Sequence, residues 1–174
     1  MAFVKNHDMK YIFLIGTVLT AFWSFGQAPA LPDGFEVVNM CQNTSVKSQD
    51  RTGTCWSFSA SSFLESEVLK QTGQVIDLSE MYTVRMIYLE KADKYIRYHG
   101  GSNFSQGSLG HDVIRAYDKY GMMPESAYSG KNGAEIHNHS AMVKELKHYL
   151  DSMLQKRPVE AHWKEGFITI LDEC

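Results

Sequence analysis

Apolar residues recur at helical spacing after residue 54, and this periodicity restricts the fold more than any other feature of the 174-residue chain. Gly73, Gly121 and Pro158 end three of the periodic segments. The predicted helices span residues 55–71, from the N-cap Ser79 to about residue 97, from about residue 109 to residue 120, 140–157, and a last amphipathic stretch around 163–171. The chain is therefore expected to be mostly helical.

Each of the first four predicted helices has an apolar face. In chain order the residues of these faces are Phe58, Phe63, Leu64, Val68 and Leu69, then Tyr82, Met86 and Leu89, then Val113, Ile114 and Tyr117, and finally Val143, Leu146, Leu150, Met153 and Leu154. We expect these faces to be directed toward a shared core.

Composition excludes several classes of protein. Hydrophobic residues make up 44% and charged residues 21% of the chain, which is typical of a globular protein and not of a disordered or collagen-like one. Lys and Arg number 17 against 20 Asp and Glu, so the formal net charge of −3 leaves no basic surplus for phosphates. No nucleic-acid partner is expected. The odd number of cysteines, three, excludes a complete disulfide framework.

Residues 1–26 have the pattern of a secretory signal peptide. Two lysines precede an uncharged run over residues 11–25, and a helix of that length spans about 22 Å, less than a membrane core of about 30 Å. Cleavage after Gly26 or Ala28 would export the mature protein to the periplasm or the exterior, with no membrane attachment afterwards. An uncleaved anchor and a buried N-terminal helix are the alternatives.

Cys55 has a position with chemical consequences, because it is the first residue of a predicted helix. Unpaired backbone N–H groups and the helix dipole favour a thiolate there, and the thiolate is the nucleophilic form. Gln49, in the preceding loop, is expected to donate its side-chain amide to an oxyanion together with the Cys55 N–H. Gly53 would keep the approach of a substrate backbone open. Trp56 would cover the site and exclude water.

Residues 46–60 read Val-Lys-Ser-Gln-Asp-Arg-Thr-Gly-Thr-Cys-Trp-Ser-Phe-Ser-Ala. This stretch resembles the active-site segment of papain-like cysteine peptidases, whose motif is a glutamine, five intervening residues and Cys-Trp-x-Phe-Ser-Ala. Leu-Ser-Glu at residues 78–80 is similar to the start of that family's second helix. Gln106-Gly107 is similar to its substrate-binding glycine loop, with Ser108 where a second glycine is usual.

The resemblance extends over roughly residues 40–172 and implies a cysteine-type peptidase, an aminopeptidase or an oligopeptidase, that acts on peptide substrates. It implies catalytic roles for Cys55 and Gln49. The residues that it implies for substrate binding are Gly53, Trp56, Gly107 and Ser108. Neither a metal nor another cofactor is expected.

Two departures from the common pattern favour the bleomycin hydrolase and aminopeptidase C branch. Most secreted papain-like enzymes have a disulfide whose matching positions here are Thr52 and Ser105. Only 22 residues separate a cleavage site after Gly26 from Gln49, too few for a large inhibitory pro-domain. Residues 98–107 also resemble exported bacterial members of that branch.

The expected fold class is α+β, with residues 27–174 forming the mostly helical N-terminal lobe of a papain-like peptidase and the second, β-rich lobe absent. In this family the catalytic His and Asn lie about 130–150 residues after the cysteine, beyond the end of the chain. This lobe alone would then be inactive. Trp163 and Phe167 would form an exposed face toward the missing lobe, and the chain is a candidate for homo-oligomer formation.

The histidines of the chain do not supply an evident base. His137 and His139 are interpreted as loop histidines of a polar segment rather than a metal-binding pair, because no cluster of Cys or Asp accompanies them. His162 is predicted at a helix start rather than on a strand. Two alternatives therefore stay open beside the peptidase: a non-catalytic peptide-binding remnant of the same fold, and a papain-fold acyltransferase that also uses Cys55.

Overall fold

The computed structural model describes residues 32–173, so the predicted signal peptide over residues 1–26 lies outside the described residues. The chain divides into one unit that ends at Met40 and a second unit that begins at Cys41. In the described part of the first unit, the N–H of Phe35 donates to the carbonyl of Pro32 at 3.1 Å and closes a turn.

The second unit is built from helices. They are α1 (Cys55–Thr72), α2 (Glu80–Arg97), α3 (Gly110–Tyr120), α4 (Ser140–Gln155) and α5 (Trp163–Glu173). Within residues 32–173, strand pairing is limited to two isolated bridges, Arg51 with Asn138 and Leu78 with Pro124. The helical part of the expected fold is confirmed. None of the helices in this part of the chain has the length and apolar character needed to cross a membrane.

Local signals set the ends of the helices as predicted. Gly73 lies at φ 71° and donates its N–H to the carbonyl of Leu69, which closes α1 in the left-handed conformation that glycine adopts easily. The hydroxyl of Ser79 accepts the N–H of Tyr82 at 3.0 Å and caps α2. Both of these bonds join residues that are close in the sequence.

Helix α2 is central, because it packs against α1, α3 and α4, while α5 packs against α4. A single apolar core joins these helices and the loop before α3. Its most deeply buried apolar residues include Ile87, Tyr88, Ala92, Val113, Leu146, Leu150 and Phe167. Helix α2 therefore connects the N-terminal part of the unit to its C-terminal part.

The predicted apolar face of α1 is correct for Phe58 and Leu64, which pack against the core, but wrong for Phe63. Phe63 is 63% exposed, whereas Ser57, Ser61 and Glu65 are fully buried. Each buried polar group has a partner outside α1: Ser57 Oγ donates to the carbonyl of Glu80 at 3.0 Å, Ser61 Oγ bonds to a tyrosine hydroxyl of α3 at 2.9 Å, and Glu65 accepts a backbone N–H at 2.8 Å. Long-range hydrogen bonds thus remove the cost that normally keeps such groups at the surface.

Two other expectations also fail. Ile114, predicted to point inward, is 53% exposed, whereas Val113 is buried as predicted and Ala116 is buried beside it. Phe167 is fully buried rather than exposed toward a missing lobe, with its ring centre 6.0 Å from that of Phe104 and 6.4 Å from that of Trp163. The last helix therefore closes the core of this unit.

Lys47 links the segment before α1 to two buried acids. Its Nζ lies 3.2 Å from Glu65, 2.8 Å from Glu80 and 2.7 Å from Asp77, and it donates to the carbonyl of Leu78 at 3.0 Å. Burial by itself would lower the pKa of Lys47, but the bonds and charges of the three acids outweigh it and raise the pKa above its ordinary value. Burial raises the pKa of Glu80, and Lys47 opposes this shift. The ammonium group therefore balances charge that is otherwise costly inside the protein.

Replacement of Lys47 by methionine is expected to lower the free energy of unfolding by about 3 kcal/mol, because it leaves Glu65 and Glu80 buried without a counter-charge. The matched control is Lys70→Met. The Lys70 side chain is 68% exposed, and its Nζ lies as far as 4.0 Å from the carboxylate of Glu67. The control should change stability by less than about 0.5 kcal/mol. Urea denaturation followed by circular dichroism measures both, and equal losses would contradict the role given to Lys47.

Candidate active site

The loop that leads to Cys55 is folded by hydrogen bonds of two buried threonines. Thr52 Oγ1 donates to the carbonyl of Gln49 at 2.8 Å and bonds to Thr54 Oγ1 at 2.5 Å. Cys55 follows as the first residue of α1, with its side chain exposed. Gln49 is half-buried, and its carboxamide oxygen is buried without a hydrogen-bond partner. The loop thus has a fixed shape between the two predicted catalytic residues.

The N-terminus of α1 is open at Cys55. The carbonyl of Thr54 accepts the N–H groups of Ser57 at 2.9 Å and Phe58 at 3.3 Å, and the Thr54 side chain makes no cap bond to the helix. Within residues 32–173, the N–H of Cys55 itself has no hydrogen-bond partner. A free N–H at a helix start is a donor available to an anion.

Gln106 joins the glycine loop to the start of α1. Its side-chain oxygen accepts the N–H of Gly53 at 2.7 Å, and its carbonyl accepts the indole N–H of Trp56 at 3.0 Å. A Cβ at position 53 would lie 3.1 Å from the Cβ of Gln106. The absence of a side chain on Gly53 therefore lets Gln106 lie close to the backbone before Cys55, and Gly53 itself stays exposed. Trp56 is buried in the core instead of covering the site. Its indole N–H supports the glycine loop by bonding to the carbonyl of Gln106.

Lys91, on α2, holds the other side of the glycine loop. Its Nζ donates to the carbonyls of Ser105 at 2.8 Å and Gly107 at 2.5 Å. Burial lowers the pKa of Lys91, and the charge of Asp112 partly opposes this. The carbonyl of Gly107 is therefore already occupied. The hydroxyl of Ser108 is also engaged, since it donates to the carboxylate of Asp112.

Sequence reasoning missed the roles of Gln106 and Lys91. Gln106 lies directly before Gly107 in the matched motif, and its two contacts to Gly53 and Trp56 were not foreseen from that position. Lys91 carries no sequence signal, because a lysine in the middle of an amphipathic helix usually faces solvent. Only the fold brings its ammonium group to two carbonyls that lie 14 and 16 residues further along the chain.

A second segment holds the loop before Cys55 from the opposite end. The N–H of Arg51 donates to the carbonyl of His137 at 3.0 Å, and the N–H of His137 donates to the Asp50 carboxylate at 3.0 Å. The bond from His137 lowers the pKa of Asp50 below its usual range. Asp50 itself lies at φ 52°, a left-handed conformation that these bonds help to maintain.

The described histidines fall into two groups. His99, His111, His148 and His162 are exposed, and His162 bonds to Glu165. His137 is buried and His139 is half-buried, and burial lowers the pKa of both, that of His139 to about 4. Among the described residues, Cys55 has no hydrogen bond to any histidine. This part of the chain also holds no group of three or more His, Cys, Asp or Glu arranged for a metal ion.

Replacement of Lys91 by methionine is expected to loosen the glycine loop, because two carbonyls lose a charged donor. We expect faster hydrogen–deuterium exchange over residues 103–109 and a stability loss of about 2 kcal/mol. Lys94→Met is the matched control, since Lys94 lies on the same helix and its ammonium group lies 5.9 Å from the centre of the Tyr98 ring, with no ion pair to any residue in 32–173. Unchanged exchange in Lys91→Met would contradict the proposed restraint.

Comparison with known proteins identifies the family of this chain. The model of the family described as papain family cysteine protease matches residues 31–165. Human cathepsin L2 is 29% identical over 104 residues, which are 53% of this chain and 30% of that protein. Digestive cysteine proteinase 1 of Homarus americanus is 32% identical over 110 residues, 60% of this chain and 30% of that protein.

Cathepsin L-like peptidase of Aedes aegypti is 46% identical over 85 residues, 49% of this chain and 22% of that protein. The matched region thus spans less than a third of each of these relatives. The family match covers most of the chain, including the loop before Cys55, α1 and the glycine loop. This chain belongs to the papain family of cysteine proteases.

Proposed function

We propose that this chain is the nucleophile-bearing helical lobe of a cysteine-type peptidase in which the sulfur of Cys55 attacks the carbonyl carbon of a peptide bond. The observation that carries the proposal is the exposed Cys55 side chain at the open N-terminus of α1, held between the threonine-folded loop and the glycine loop. A helix N-terminus favours the anionic form of a thiol, which is the reactive one.

The negative charge that develops on the substrate oxygen needs donors. We assign this role to the N–H of Cys55 and the side-chain amide of Gln49. The oxygen of the Gln49 carboxamide is buried without a partner, so the amide nitrogen is the end of the group left to meet a ligand. Preorganised donors of this kind contribute about 10²–10³ in rate in enzymes that form tetrahedral intermediates.

A peptide substrate would lie along the glycine loop. The N–H of Gly107 is the donor that remains there, because Lys91 occupies its carbonyl. A Cβ at residue 107 would meet no atom within 4 Å, which leaves the space above the loop free for an extended peptide backbone. Gly53 and Trp56 shape the loop through Gln106, and Ser108 fixes its exit by bonding to Asp112.

Hydrolysis also requires a base that takes the thiol proton and later gives it to the leaving amine. His137 and His139 have their Nδ1 atoms buried away from solvent, and no described histidine bonds to Cys55. We therefore propose that the catalytic His and Asn come from residues that are not part of this sequence. On this view the chain alone binds peptides and forms covalent adducts without turnover.

Two features support an exported member of the bleomycin hydrolase and aminopeptidase C branch, with exopeptidase or oligopeptidase specificity. Thr52 stands where most secreted relatives have a disulfide cysteine, and its hydroxyl holds the loop by hydrogen bonds to Gln49 and Thr54 instead. Export rests on the signal-like pattern of residues 1–26.

The nucleophile is tested with a peptidyl epoxide, a probe that needs both a reactive thiol and a peptide site. We expect labelling of Cys55 in the wild-type chain and in Cys41→Ser, and loss of labelling in Cys55→Ser. Cys41 is the matched control because it is also free and exposed. Equal labelling of the two cysteines, read by peptide mass spectrometry, would show chance reactivity and refute the proposal.

The oxyanion donors are tested with a peptide aldehyde, whose adduct with Cys55 carries an oxygen in the position of the oxyanion. Gln49→Ala is expected to weaken aldehyde binding about tenfold or more, because one of the two donors is lost. Gln71→Ala, at an exposed position of α1, should leave it unchanged. An undiminished affinity in Gln49→Ala, measured by isothermal titration, would remove Gln49 from the site.

A further inference from the structure

Two histidines that the proposed chemistry does not use line a pocket of about 120 Å³ between α2, residues 128–139, α4 and α5. His137 is 5% exposed, and within residues 32–173 the Nδ1 atoms of His137 and His139 are buried without a hydrogen-bond partner. Their ring centres lie 6.5 Å apart. Because the ordinary pKa of histidine lies just below neutral pH, a buried pair of imidazoles is a candidate pH sensor.

The helices around the two imidazoles offer nothing that would stabilise a positive charge. Helix α2 contributes the hydroxyl of Tyr88, which stays neutral because burial raises its pKa. It also contributes Arg85, which is already bound to the carboxylate of Asp172 at 2.9 and 3.1 Å. The side chains that α4 and α5 add to the pocket, Met142 and Leu171, are apolar. Protonation of either ring would therefore place a charge in a poorly solvated space.

The other neighbours of the two rings act mostly in the same direction. Burial lowers the pKa of His137, Lys131 lowers it further, and Asp50 opposes both. From α1, the ring of Phe58 lies 6.4 Å from that of His137. Burial lowers the pKa of His139 to about 4, and the charge on His137 adds to this shift. His139 is also the N-cap residue of α4, where a positive charge meets the positive end of the helix dipole.

The backbone of the same segment holds the loop before the nucleophile. The carbonyl of His137 accepts the N–H of Arg51, and the N–H of His137 donates to the Asp50 carboxylate, both at 3.0 Å. Asn138 pairs with Arg51 in an isolated bridge. Asp50 and Arg51 directly follow Gln49 in the chain. A displacement of residues 137–139 therefore breaks the contacts that fix the loop on its side away from α1.

We propose that His137 and His139 form an acid-sensitive latch, in which protonation of the two imidazoles drives residues 137–139 out of the pocket and releases the loop before Cys55. A released imidazole takes up a proton at its ordinary pKa of 6.5, whereas the buried ring of His139 does so only near pH 4. Above pH 6.5 both forms are neutral and the latch stays closed. As the pH falls from 6.5 to 4, the released form gains about tenfold per pH unit through His139 alone.

Release of the loop has a consequence at the candidate active site. It frees Gln49 from its fixed place beside Cys55, so the binding of a peptide aldehyde is expected to weaken in acid. This consequence rests on the proposed peptidase function. The latch itself concerns only the contacts between residues 137–139 and the loop, and it is measured without any substrate.

The test follows hydrogen–deuterium exchange of the chain from about pH 7 to about pH 4.5, with each rate divided by the intrinsic rate at that pH. We expect protection over residues 49–54 and 130–139 to fall about tenfold per pH unit below about pH 6, while the middle of α2 stays protected. His139→Gln, which cannot become charged, should remove most of this loss. His148→Gln, which changes an exposed histidine on α4, is the matched control and should lose protection as the wild type does.

A second variant separates the histidines from the nearby acid. Without the charge of Lys131, His137 is more easily protonated inside the closed pocket, so the midpoint of release should move to lower pH. Lys131 also lowers the pKa of Asp50, so the same variant would move the midpoint to higher pH if protonation of Asp50 caused the release. Lys131 is not part of the apolar core, and Lys131→Gln therefore tests the latch even if His139→Gln fails to fold.

Three results would each overturn the proposal. The first is unchanged protection of residues 49–54 and 130–139 down to about pH 4.5. The second is a loss in His139→Gln as large as in the wild type, which would assign the acid sensitivity to the carboxylates around Lys47. The third is a midpoint that moves to higher pH in Lys131→Gln. Because exchange does not depend on a reactive thiol and the peptidyl epoxide test reads Cys55 alone, the latch and the proposed peptidase function fail separately.

Discussion

The ammonium group of Lys47 is the contact on which the arrangement of the active-site lobe depends. It stands two residues before Gln49 and bonds to Glu65 on α1 and Glu80 on α2, both of which are buried. Two carboxylates in the interior are tolerated only with a counter-charge and hydrogen bonds. The same contact that makes this burial possible also fixes the loop before Cys55 against the two helices beneath it.

Beside the Lys47 contacts, hydrogen bonds between segments that are distant in sequence hold the candidate site together. Gln106 ties the glycine loop to the start of α1, Lys91 ties the same loop to α2, and His137 ties residues 50–51 to the segment before α4. Thr52 folds the loop internally through its hydroxyl. The bonds of Thr52, Lys91 and His137 lie at least partly out of water, where such bonds are strongest.

Membership of the papain family places this chain among proteins that use a cysteine nucleophile, and the exposed Cys55 at an open helix N-terminus accords with that chemistry. Within residues 32–173, no histidine makes a hydrogen bond to Cys55. The pocket formed by Tyr88, His137 and His139 is separate from this chemistry. The backbone of His137, which lines this pocket, also supports the loop before Cys55.

The sequence by itself determined the helices and the place of the reactive residue. Gly73 and Ser79 set helix ends through neighbours in the chain, and the motif around Cys55 placed the cysteine at the first residue of α1. The tertiary structure decided which side of each helix is buried. Periodicity alone assigned Phe63 to the core and gave no place there to Glu65, yet Glu65 is buried and Phe63 is exposed. The reason is that hydrophobic spacing counts only local side chains, whereas the cost of burying a polar group is cancelled by partners elsewhere in the chain, which only the folded structure brings within reach.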